Sequence, residues 1–254
     1  MTPSAGRGRR GLRRLVRRLL PWPVRRSLVR ASRWPPVGTV DLGDLRRVTP
    51  VSRSWGGDRG LPVDRHYIEQ FLARWSADIR GRVLEIGDNA YTLRFGGDRV
   101  ERSDILHAAP GNPKATYVDD LASGSTLPDA TFDCVVCTQT LHLIPDLAGS
   151  LHTLHRILKP GGVLLATVPG ISQIYRDEEG PWGDYWRLTD RSARWLTEQS
   201  FGRGNVEVAV YGNVLAAIAF LQGLAAEELE REELEARDPD YQVSIGMRAV
   251  RADS

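Results

Sequence analysis

Residues that can bind or react with a small molecule recur directly after the segments that read as buried β-strands. They are a glycine, several carboxylates, an amide, a hydroxyl and an imidazole: Gly87, Asp104, Asp119, Asp120, Gln139, Thr140 and His142. Parallel strands open on one edge of a sheet, so we expect these side chains to converge there. A carboxylate such as Asp104 can accept hydrogen bonds from both ribose hydroxyls of a nucleoside. The imidazole of His142 is the side chain best placed by sequence to act as a base.

Each of these residues also has a purely structural interpretation. Asp104 could be an aspartate that shapes a turn or caps a helix. His142 could be a histidine that lines a cleft or packs in the core. His107, His66 and Asp184 are weaker candidates for the base.

The first predicted strand and the turn after it organise the rest of the chain. Residues 83–86 read as a short buried strand, with Glu85 two positions before Gly87. An α/β sheet binds a nucleotide-like cofactor beyond the carboxyl end of its first strand. Downstream, strands and helices alternate, which is typical of a mostly parallel sheet. The further predicted strands are 99–102, 116–118, 133–138, 163–168, 206–211 and 241–250, with helices at 147–158 and 214–236.

Composition divides the chain into three parts. Residues 1–40 form a basic amphipathic arm and linker, and residues 41–80 form a loop followed by a helix that we expect to pack on the core. Residues 81–254 form the main domain. The helix in the second part spans 63–75, and its polar start, with Asp64 and Arg65, could overhang a cofactor cleft or form a local ion-pair cluster.

The arm is the most strongly charged part of the sequence. Residues 1–40 contain 11 arginines and no acidic residue, while the whole chain carries only +2, so the remainder carries about −9. Leucines and a valine between 12 and 20 follow the spacing of one helical face. Residues 8–33 therefore predict peripheral contact with an anionic membrane. A solvated arm and an acidic partner are the alternatives, and nucleic acid is not favoured.

The sequence lacks the signature motifs of several protein classes. The apolar stretch of the arm is too short to span a bilayer and lacks the features of a secretion signal, so we expect a cytoplasmic protein, peripheral at most to the inner membrane face. Cys134 and Cys137 lie at positions of one strand that face opposite sides, so we expect neither a metal site nor a redox pair. The motifs of serine hydrolases and nucleoside triphosphatases are absent, and no G-x-G-x-x-G supports an NAD-dependent oxidoreductase.

Four segments in the correct order resemble the class I S-adenosylmethionine-dependent methyltransferases, in particular the type 11-like domains. They are Val-Leu-Glu-Ile-Gly at 83–87, Asp104, Leu-Pro-Asp-Ala-Thr-Phe-Asp-Cys-Val-Val at 127–136 and Leu-His-Arg-Ile-Leu-Lys-Pro-Gly-Gly at 154–162. The segment 185–189, followed by a helix, is similar to what many members carry after their fifth strand. The resemblance implies an α/β, Rossmann-like, mostly parallel seven-stranded sheet with an antiparallel last strand, as a single domain with a basic N-terminal arm. It also implies S-adenosyl-L-methionine as the cofactor.

The resemblance assigns roles to individual residues. It implies that Glu85 and Gly87 lie beside the methionine part of the cofactor and that Asp104 holds the ribose hydroxyls. Asp119 or Asp120 would face the adenine. The remaining expected contacts with the cofactor come from the first turn and from the cleft after the fourth strand: Asp88, Asn89, Tyr91, Gln139 and Thr140.

The first turn departs from the family pattern. Members commonly have glycines at alternate positions, and here these positions hold Gly87, Asn89 and Tyr91. Asparagine tolerates the left-handed backbone that glycine supplies, whereas tyrosine does so poorly and its ring fills space. Either the loop takes a different path with Tyr91 as a wall of the site, or cofactor binding is impaired.

The segment 171–186 combines aromatic side chains with carboxylates. Such a combination can stack on and hydrogen-bond a sugar or a small polar ring, or it can form a lid on the core. The predicted acceptor-binding residues are Tyr175, Trp182, Tyr185, Trp186 and Arg187. The leading hypothesis is a methyltransferase that acts on oxygen of a small molecule or glycan, with His142 as the catalytic base. The alternative is a catalytically silent relative that serves as a binding or scaffold protein at a membrane surface.

Overall fold

The computed structural model describes residues 21–24, 27, 34–176 and 183–252. The chain separates into two compact units, Met1–Val48 and Thr49–Ser254. The described part of the first unit includes a short 3₁₀-helix, Gly43–Leu45. Most of the predicted membrane-contacting segment 8–33 lies outside the described residues, so that contact stays a prediction. Within the described residues, no helix has the length and apolar character needed to cross a membrane.

The second unit is built on one seven-stranded sheet. Its strands run in the spatial order β3-β2-β1-β4-β5-β7-β6, and β7 is antiparallel to both of its neighbours while the other strands are mutually parallel. This topology confirms the predicted Rossmann-like fold with an antiparallel last strand. The strands are β1 Gly81–Ile86, β2 Val100–His107, β3 Tyr117–Val118, β4 Phe132–Thr138, β5 Leu158–Pro169, β6 Val206–Tyr211 and β7 Ser244–Val250.

Helices cover both faces of the sheet. They are α1 Val63–Arg74, α2 Leu147–Ile157, α3 Asp190–Phe201, α4 Val214–Gln222 and α5 Arg231–Glu235. The prediction of one helix over 214–236 was wrong, because α4 ends at Gly223 in the left-handed conformation, φ 69°. Glycine is the residue that adopts this C-terminal stop without strain.

The core lies in two layers, one on each face of the sheet. One layer contains Leu84, Leu106 and Leu154, and the other contains Val83, Phe71 and Phe220 from β1, α1 and α4. Alternate residues of β1 therefore enter opposite layers, as strand geometry requires. The two cysteines do the same: Cys137 lies in the first layer and Cys134 in the second. Both are free and buried.

The predicted boundaries of strand β2 were also wrong. It was expected to span 99–102, but it runs from Val100 to His107. Asp104 pairs with Leu84 of β1 in the middle of the ladder and does not follow the strand. The residue that ends β2, at the edge of the sheet where the polar residues were expected to converge, is His107.

Candidate active site

Two cavities adjoin each other where β1, β2 and β4 end. The apolar cavity has a volume of about 230 Å³, and its walls include Ile86, Leu106, Leu121 and Ile144. The polar cavity has a volume of about 320 Å³ and is lined mainly by charged, amide and aromatic side chains. Leu143 is a wall of both cavities.

Gly87 forms the floor of the apolar cavity at the end of β1. Its φ is +92°, and a Cβ atom added to it would meet no other atom within 4 Å. The Gly87 N–H donates to the carbonyl of Leu106 at 2.8 Å, and the Asn112 amide donates to the Gly87 carbonyl at 3.0 Å. The turn therefore leaves open space beside the backbone, where a ligand can approach closely.

Asp119 and Asp120, one of which the family resemblance would place at the adenine, both line the apolar cavity. The Asp119 carboxylate accepts hydrogen bonds from the N–H and the hydroxyl of Thr126, at 2.6 and 2.8 Å. Burial would raise its pKa, but these hydrogen bonds hold the pKa below its ordinary value. Asp120 is exposed, and one of its oxygens accepts from the Ala122 N–H at 2.9 Å. Its second oxygen is the carboxylate atom that remains available to a ligand.

Asp104 lines neither cavity. Its side chain is 1% exposed and forms ion pairs with Arg82, at 2.7 Å, and with Arg102, at 3.1 Å. Arg82 also donates to the hydroxyl of Tyr117, so one network joins β1, β2 and β3. This geometry does not support the expected role of Asp104 in holding ribose hydroxyls, because its carboxylate is enclosed by two guanidinium groups within the sheet.

The carboxylate of Glu85 stabilises the first turn by hydrogen bonds. Glu85 is 2% exposed, and its carboxylate accepts from the N–H groups of Thr92, at 2.7 Å, and Tyr91, at 3.3 Å. Burial raises the pKa of Glu85 to about 7, although these hydrogen bonds work in the other direction. Glu85 lines neither of the two cavities, and its carboxylate holds the first turn through the N–H groups of Tyr91 and Thr92.

The loop after β1 differs from the expected glycine-rich turn, because it carries Tyr91 into the core. Tyr91 is buried with its ring 6.0 Å from that of Phe95, and its hydroxyl accepts from Arg65 at 3.0 Å. The chain continues as a π-helical turn, Thr92–Gly96. Tyr91 therefore leaves the apolar cavity open, and the expectation that it contacts the cofactor is not supported, because its ring points into the core.

Asp88 and Asn89 face a third cavity, of about 550 Å³, which they share with Asn112 and Lys114. The Asn89 amide donates to the hydroxyl of Ser103 at 3.1 Å, and the Asp88 carboxylate accepts from the Ala90 N–H at 2.9 Å. Asn89 is not among the non-glycine residues of positive φ in the described part. The left-handed conformation expected for it is therefore not used.

Gln139 and Thr140 follow β4 and turn to different cavities. Thr140 lines the apolar cavity and Gln139 lines the polar cavity. Gln139 has φ +47°, and Trp55, also in the polar cavity, has φ +55°. Non-glycine residues in this conformation are strained, and such strain is concentrated at functional sites.

A cluster of three side chains, Asp184, Arg187 and His142, borders the polar cavity. Asp184 accepts from Arg187 at 2.6 and 2.7 Å and from the Tyr175 N–H at 2.6 Å, and the His142 Nε2 lies 3.2 Å from it. Burial would raise the pKa of Asp184, but the hydrogen bonds from Arg187 and Tyr175 hold it below its ordinary value. Burial also lowers the pKa of His142 below 6.5, so its imidazole is neutral at neutral pH.

Three buried side-chain nitrogens on residues of the polar cavity have no hydrogen-bond partner within the described chain: Gln139 Nε2, His142 Nδ1 and Arg187 Nε. Such groups are rare in folded proteins, because each loses its hydration without compensation. Their concentration on one cavity indicates that a ligand or bound water completes them.

The predicted acceptor residues are only partly brought together. Tyr175 and Arg187 line the polar cavity, whereas Tyr185 and Trp186 are exposed beside it and donate their backbone N–H groups to the carbonyl of His142. Trp182 lies outside the described residues. Trp55 was missed, although its ring lies 6.1 Å from that of Tyr175.

The other two histidines that were candidates for the base lie in different places. His107 lines the apolar cavity, whereas His66 lies on α1, where its ring bonds the amide of Gln70 at 2.8 Å. Asp184, expected as a weak candidate for the base, is instead the partner of His142. The described residues contain no group of three or more side chains that could hold a metal ion.

Comparison with known proteins matches this chain to methyltransferases. A family model for the methyltransferase domain matches residues 59–204. The ubiquinone/menaquinone biosynthesis C-methyltransferase UbiE of Enterobacter sp. strain 638 is 30% identical over 127 residues, which are 50% of this chain and 45% of that protein. The UbiE of Escherichia coli K12 is 32% identical over 129 residues, with the same coverage. The chain thus spans about half the length of the curated relatives it matches.

The fold is also that of solved methyltransferases. The crystal structure of a SAM-dependent methyltransferase from Archaeoglobus fulgidus superposes with a TM-score of 0.50 at 15% identity, over 73% of this chain and 94% of that one. At this identity the likeness concerns the fold alone. The family model covers more than half of the sequence, including β1 to β5 and the residues of both cavities after α1 begins. The chain therefore belongs to the methyltransferase domain family.

Proposed function

We propose that the protein transfers a methyl group from S-adenosyl-L-methionine to a polar acceptor bound in the polar cavity. The observation that carries this proposal is the group of buried, unpartnered nitrogens of Gln139, His142 and Arg187 at the polar cavity, next to the apolar cavity at the end of β1. Family membership supports the reaction type and the cofactor.

The residues present fit the cofactor. The apolar walls suit a purine ring, the open space beside Gly87 admits a ligand close to the backbone, and Asp120 offers an acceptor for an exocyclic amine. In the polar cavity, Arg65 has no carboxylate within ion-pair distance in the described chain, so it could hold the carboxylate of the methionine part. When bound, S-adenosylmethionine supplies an electrophilic methyl group on a sulfonium.

His142 is the proposed proton acceptor. Its Nε2 faces the ionised Asp184, which accepts but cannot donate, so the ring proton belongs on Nε2. Nδ1 then carries a lone pair, and it is the nitrogen that lacks a partner. A neutral imidazole in this tautomer can take the proton of an acceptor hydroxyl as that oxygen becomes a nucleophile. Asp184, fixed by Arg187, orients the ring.

The lining of the polar cavity favours a polar ring as the acceptor. Trp55 and Tyr175 present aromatic surface, and Asp64, Arg65 and Asp184 present charges. Aromatic faces beside hydrogen-bonding groups suit a sugar or a hydroxylated ring, which supports O-methylation of a glycan or small molecule. C-methylation is the second candidate, supported by the similarity to the UbiE proteins, which are named as C-methyltransferases.

Calorimetry with S-adenosylmethionine and S-adenosylhomocysteine tests the proposal first. We expect saturable binding of both, and no binding at millimolar ligand would favour the alternative of a silent scaffold. Incubation with ¹³C-methyl cofactor and a panel of sugars and phenols tests the acceptor. The carbon chemical shift of the transferred methyl group distinguishes a methoxy product from a C-methylated one.

A further inference from the structure

The end of β2 lacks the carboxylate that a dinucleotide-type site places there. The strand ends at His107, and the next residues are Ala108, Ala109 and Pro110. Asp104 is three residues too early, and its carboxylate is enclosed by Arg82 and Arg102. A carboxylate at this position holds the ribose of a bound nucleoside. The only side chain from this strand end that is polar and lines the apolar cavity is that of His107.

The tautomer of His107 follows from its local hydrogen bond. Its Nδ1 lies 2.7 Å from the carbonyl oxygen of Ala109. The Ala109 nitrogen also lies 3.4 Å from His107 Nδ1, but the contact with the carbonyl oxygen is much shorter and a carbonyl oxygen only accepts, so we infer that the proton is on Nδ1. In the neutral ring, Nε2 then carries a lone pair, and no hydrogen bond to this nitrogen occurs within the described chain. The backbone of Ala109 thus presets His107 as a hydrogen-bond acceptor.

The position of this acceptor matches the place where a ribose would lie. Gly87 and His107 line the same cavity, and the backbone hydrogen bond from Gly87 to Leu106 ties the two strand ends together. Asn112 fixes the Gly87 carbonyl from the other side, so the spacing between the β1 turn and the β2 end is set by protein contacts. Leu121 and Ile144 line the same cavity, so a nucleoside whose base packs against them would have Gly87 and His107 in the same site.

We propose that His107 accepts a hydrogen bond through Nε2 from one ribose hydroxyl of the nucleoside cofactor, in place of the missing carboxylate. This inference rests on the proposed function. A carboxylate offers two oxygens to two hydroxyls, whereas neutral His107 offers one lone pair. The protein should therefore depend on one ribose hydroxyl much more than on the other.

Calorimetry at pH 8 with S-adenosylhomocysteine and its 2′-deoxy and 3′-deoxy analogues tests this asymmetry. Wild-type protein should lose about 3- to 10-fold in affinity on removal of one hydroxyl, which is the value of one hydrogen bond, and little on removal of the other. His107→Ala should bind S-adenosylhomocysteine about 3- to 10-fold more weakly and should no longer distinguish the analogues. His107→Asp should bind again and depend on both hydroxyls.

Two variants serve as controls. His152→Ala changes an exposed histidine of α2 that lines neither cavity, and it should behave as wild type. Asp104→Asn weakens the ion pairs inside the sheet and should lower the melting temperature, while the discrimination between the analogues persists. Binding of S-adenosylhomocysteine to His107→Ala with unchanged discrimination would overturn the inference alone. Absence of binding to wild-type protein would overturn the proposed function and the inference together.

The tautomer can be tested without any ligand. Long-range ¹H–¹⁵N spectra, with the ring assigned by comparison with His107→Ala, should show the proton of His107 on Nδ1. A proton on Nε2 in the neutral ring would contradict the preset acceptor, because Nε2 could then only donate.

Discussion

At the scale of single residues, the chemistry of the polar cavity depends on the hydrogen bonds that fix the carboxylate of Asp184. Asp184 accepts three hydrogen bonds, two from Arg187 nitrogens and one from the Tyr175 N–H, and the His142 Nε2 lies 3.2 Å from it. Asp184 is therefore ionised and immobile, although its side chain is only 3% exposed. A fixed carboxylate costs no reorganisation when the imidazole beside it gains a proton.

Replacement of His142 by alanine should abolish most of the catalysis and leave cofactor binding intact. We expect the turnover number to fall by about 100- to 10,000-fold, the usual contribution of a positioned base. The affinity for S-adenosylhomocysteine should stay within about 2-fold of wild type, because the proposed cofactor contacts come from the apolar cavity and from Arg65 and do not include His142. Single-turnover rates and calorimetry measure the two quantities. A rate equal to that of the His152→Ala control would contradict the assigned role.

Glu85 should make the stability of the protein depend on pH. Its pKa rises from an ordinary 4.5 to about 7 in the folded state, so the folded protein retains a proton that the unfolded chain loses between these values. The free energy of unfolding should therefore fall as pH rises from 4.5 to 7, by up to about 3 kcal/mol from this group. Glu85→Gln should lack this decline, whereas Glu101→Gln, an exposed strand residue, should keep it.

Urea titrations at pH 5 and pH 8 measure this difference. A gap between wild-type protein and Glu85→Gln that stays the same at the two pH values would show that Glu85 is already ionised in the folded state at pH 5.

At the scale of elements, helix α1 brings Asp64 and Arg65 to the polar cavity by packing on β7. The Phe71 ring of α1 lies close to Gly246, and a Cβ atom at Gly246 would stand 2.7 and 2.8 Å from two carbons of that ring. Such a distance is shorter than any real contact between carbons, so the glycine permits the close approach of helix and strand.

Substitution of Gly246 by alanine should destabilise the protein by about 1–3 kcal/mol through overpacking. Phe71→Leu on its own should also cost stability, because it leaves space between α1 and the sheet. The double variant should be less destabilised than the sum of the two, since the smaller side chain accommodates the added methyl group. Urea denaturation of the four proteins measures the coupling, and strictly additive effects would refute the contact.

The elements also show what could be predicted from sequence. Strands β4 and β5 were predictable because strands that are buried on both faces read as continuous apolar runs. Strand β2 was not, because Ser103 and Asp104 interrupt its pattern. Asp104 is tolerated inside the sheet because Arg102 of the same strand and Arg82 of the neighbouring strand, 22 residues away in sequence, both pair with it. The contact with Arg82 cannot be read from the local sequence.

Residues of the candidate site could likewise be predicted only where the strand order alone places them. Residues that follow strands directly, such as Gly87, Asp120 and Gln139, were found because topology alone brings them to one edge. Trp55 reaches the polar cavity from a loop before α1, and only tertiary packing places it there. The burial of Tyr91 could not be predicted, because the π-helical turn that follows it has no recognisable signature in the sequence.

At the scale of the whole molecule, charge is strongly segregated along the chain. The 11 arginines of residues 1–40 contrast with a net charge of about −9 for the remainder. An acidic body has no electrostatic attraction to anionic lipid, so any such attraction must come from the arm.

Flotation with anionic vesicles should therefore depend on the arm. The full chain should float with vesicles that contain phosphatidylglycerol at low salt, and should be released at high salt because the attraction is screened. Deletion of residues 1–33 should abolish flotation. A variant with Leu12, Leu15 and Leu19 changed to serine keeps the charge and should bind more weakly. Equal flotation of the truncated protein would refute membrane contact through the arm.

The shared wall at Leu143 has a thermodynamic consequence. Any ligand that displaces this side chain from one cavity changes the shape of the other, so the two binding free energies cannot be independent. Linkage requires the coupling to be reciprocal: whatever factor one ligand imposes on the affinity of the second, the second imposes on the first. Product remaining in the apolar cavity would then alter the affinity for the next acceptor, and a single compound that occupies both cavities would gain from the same coupling.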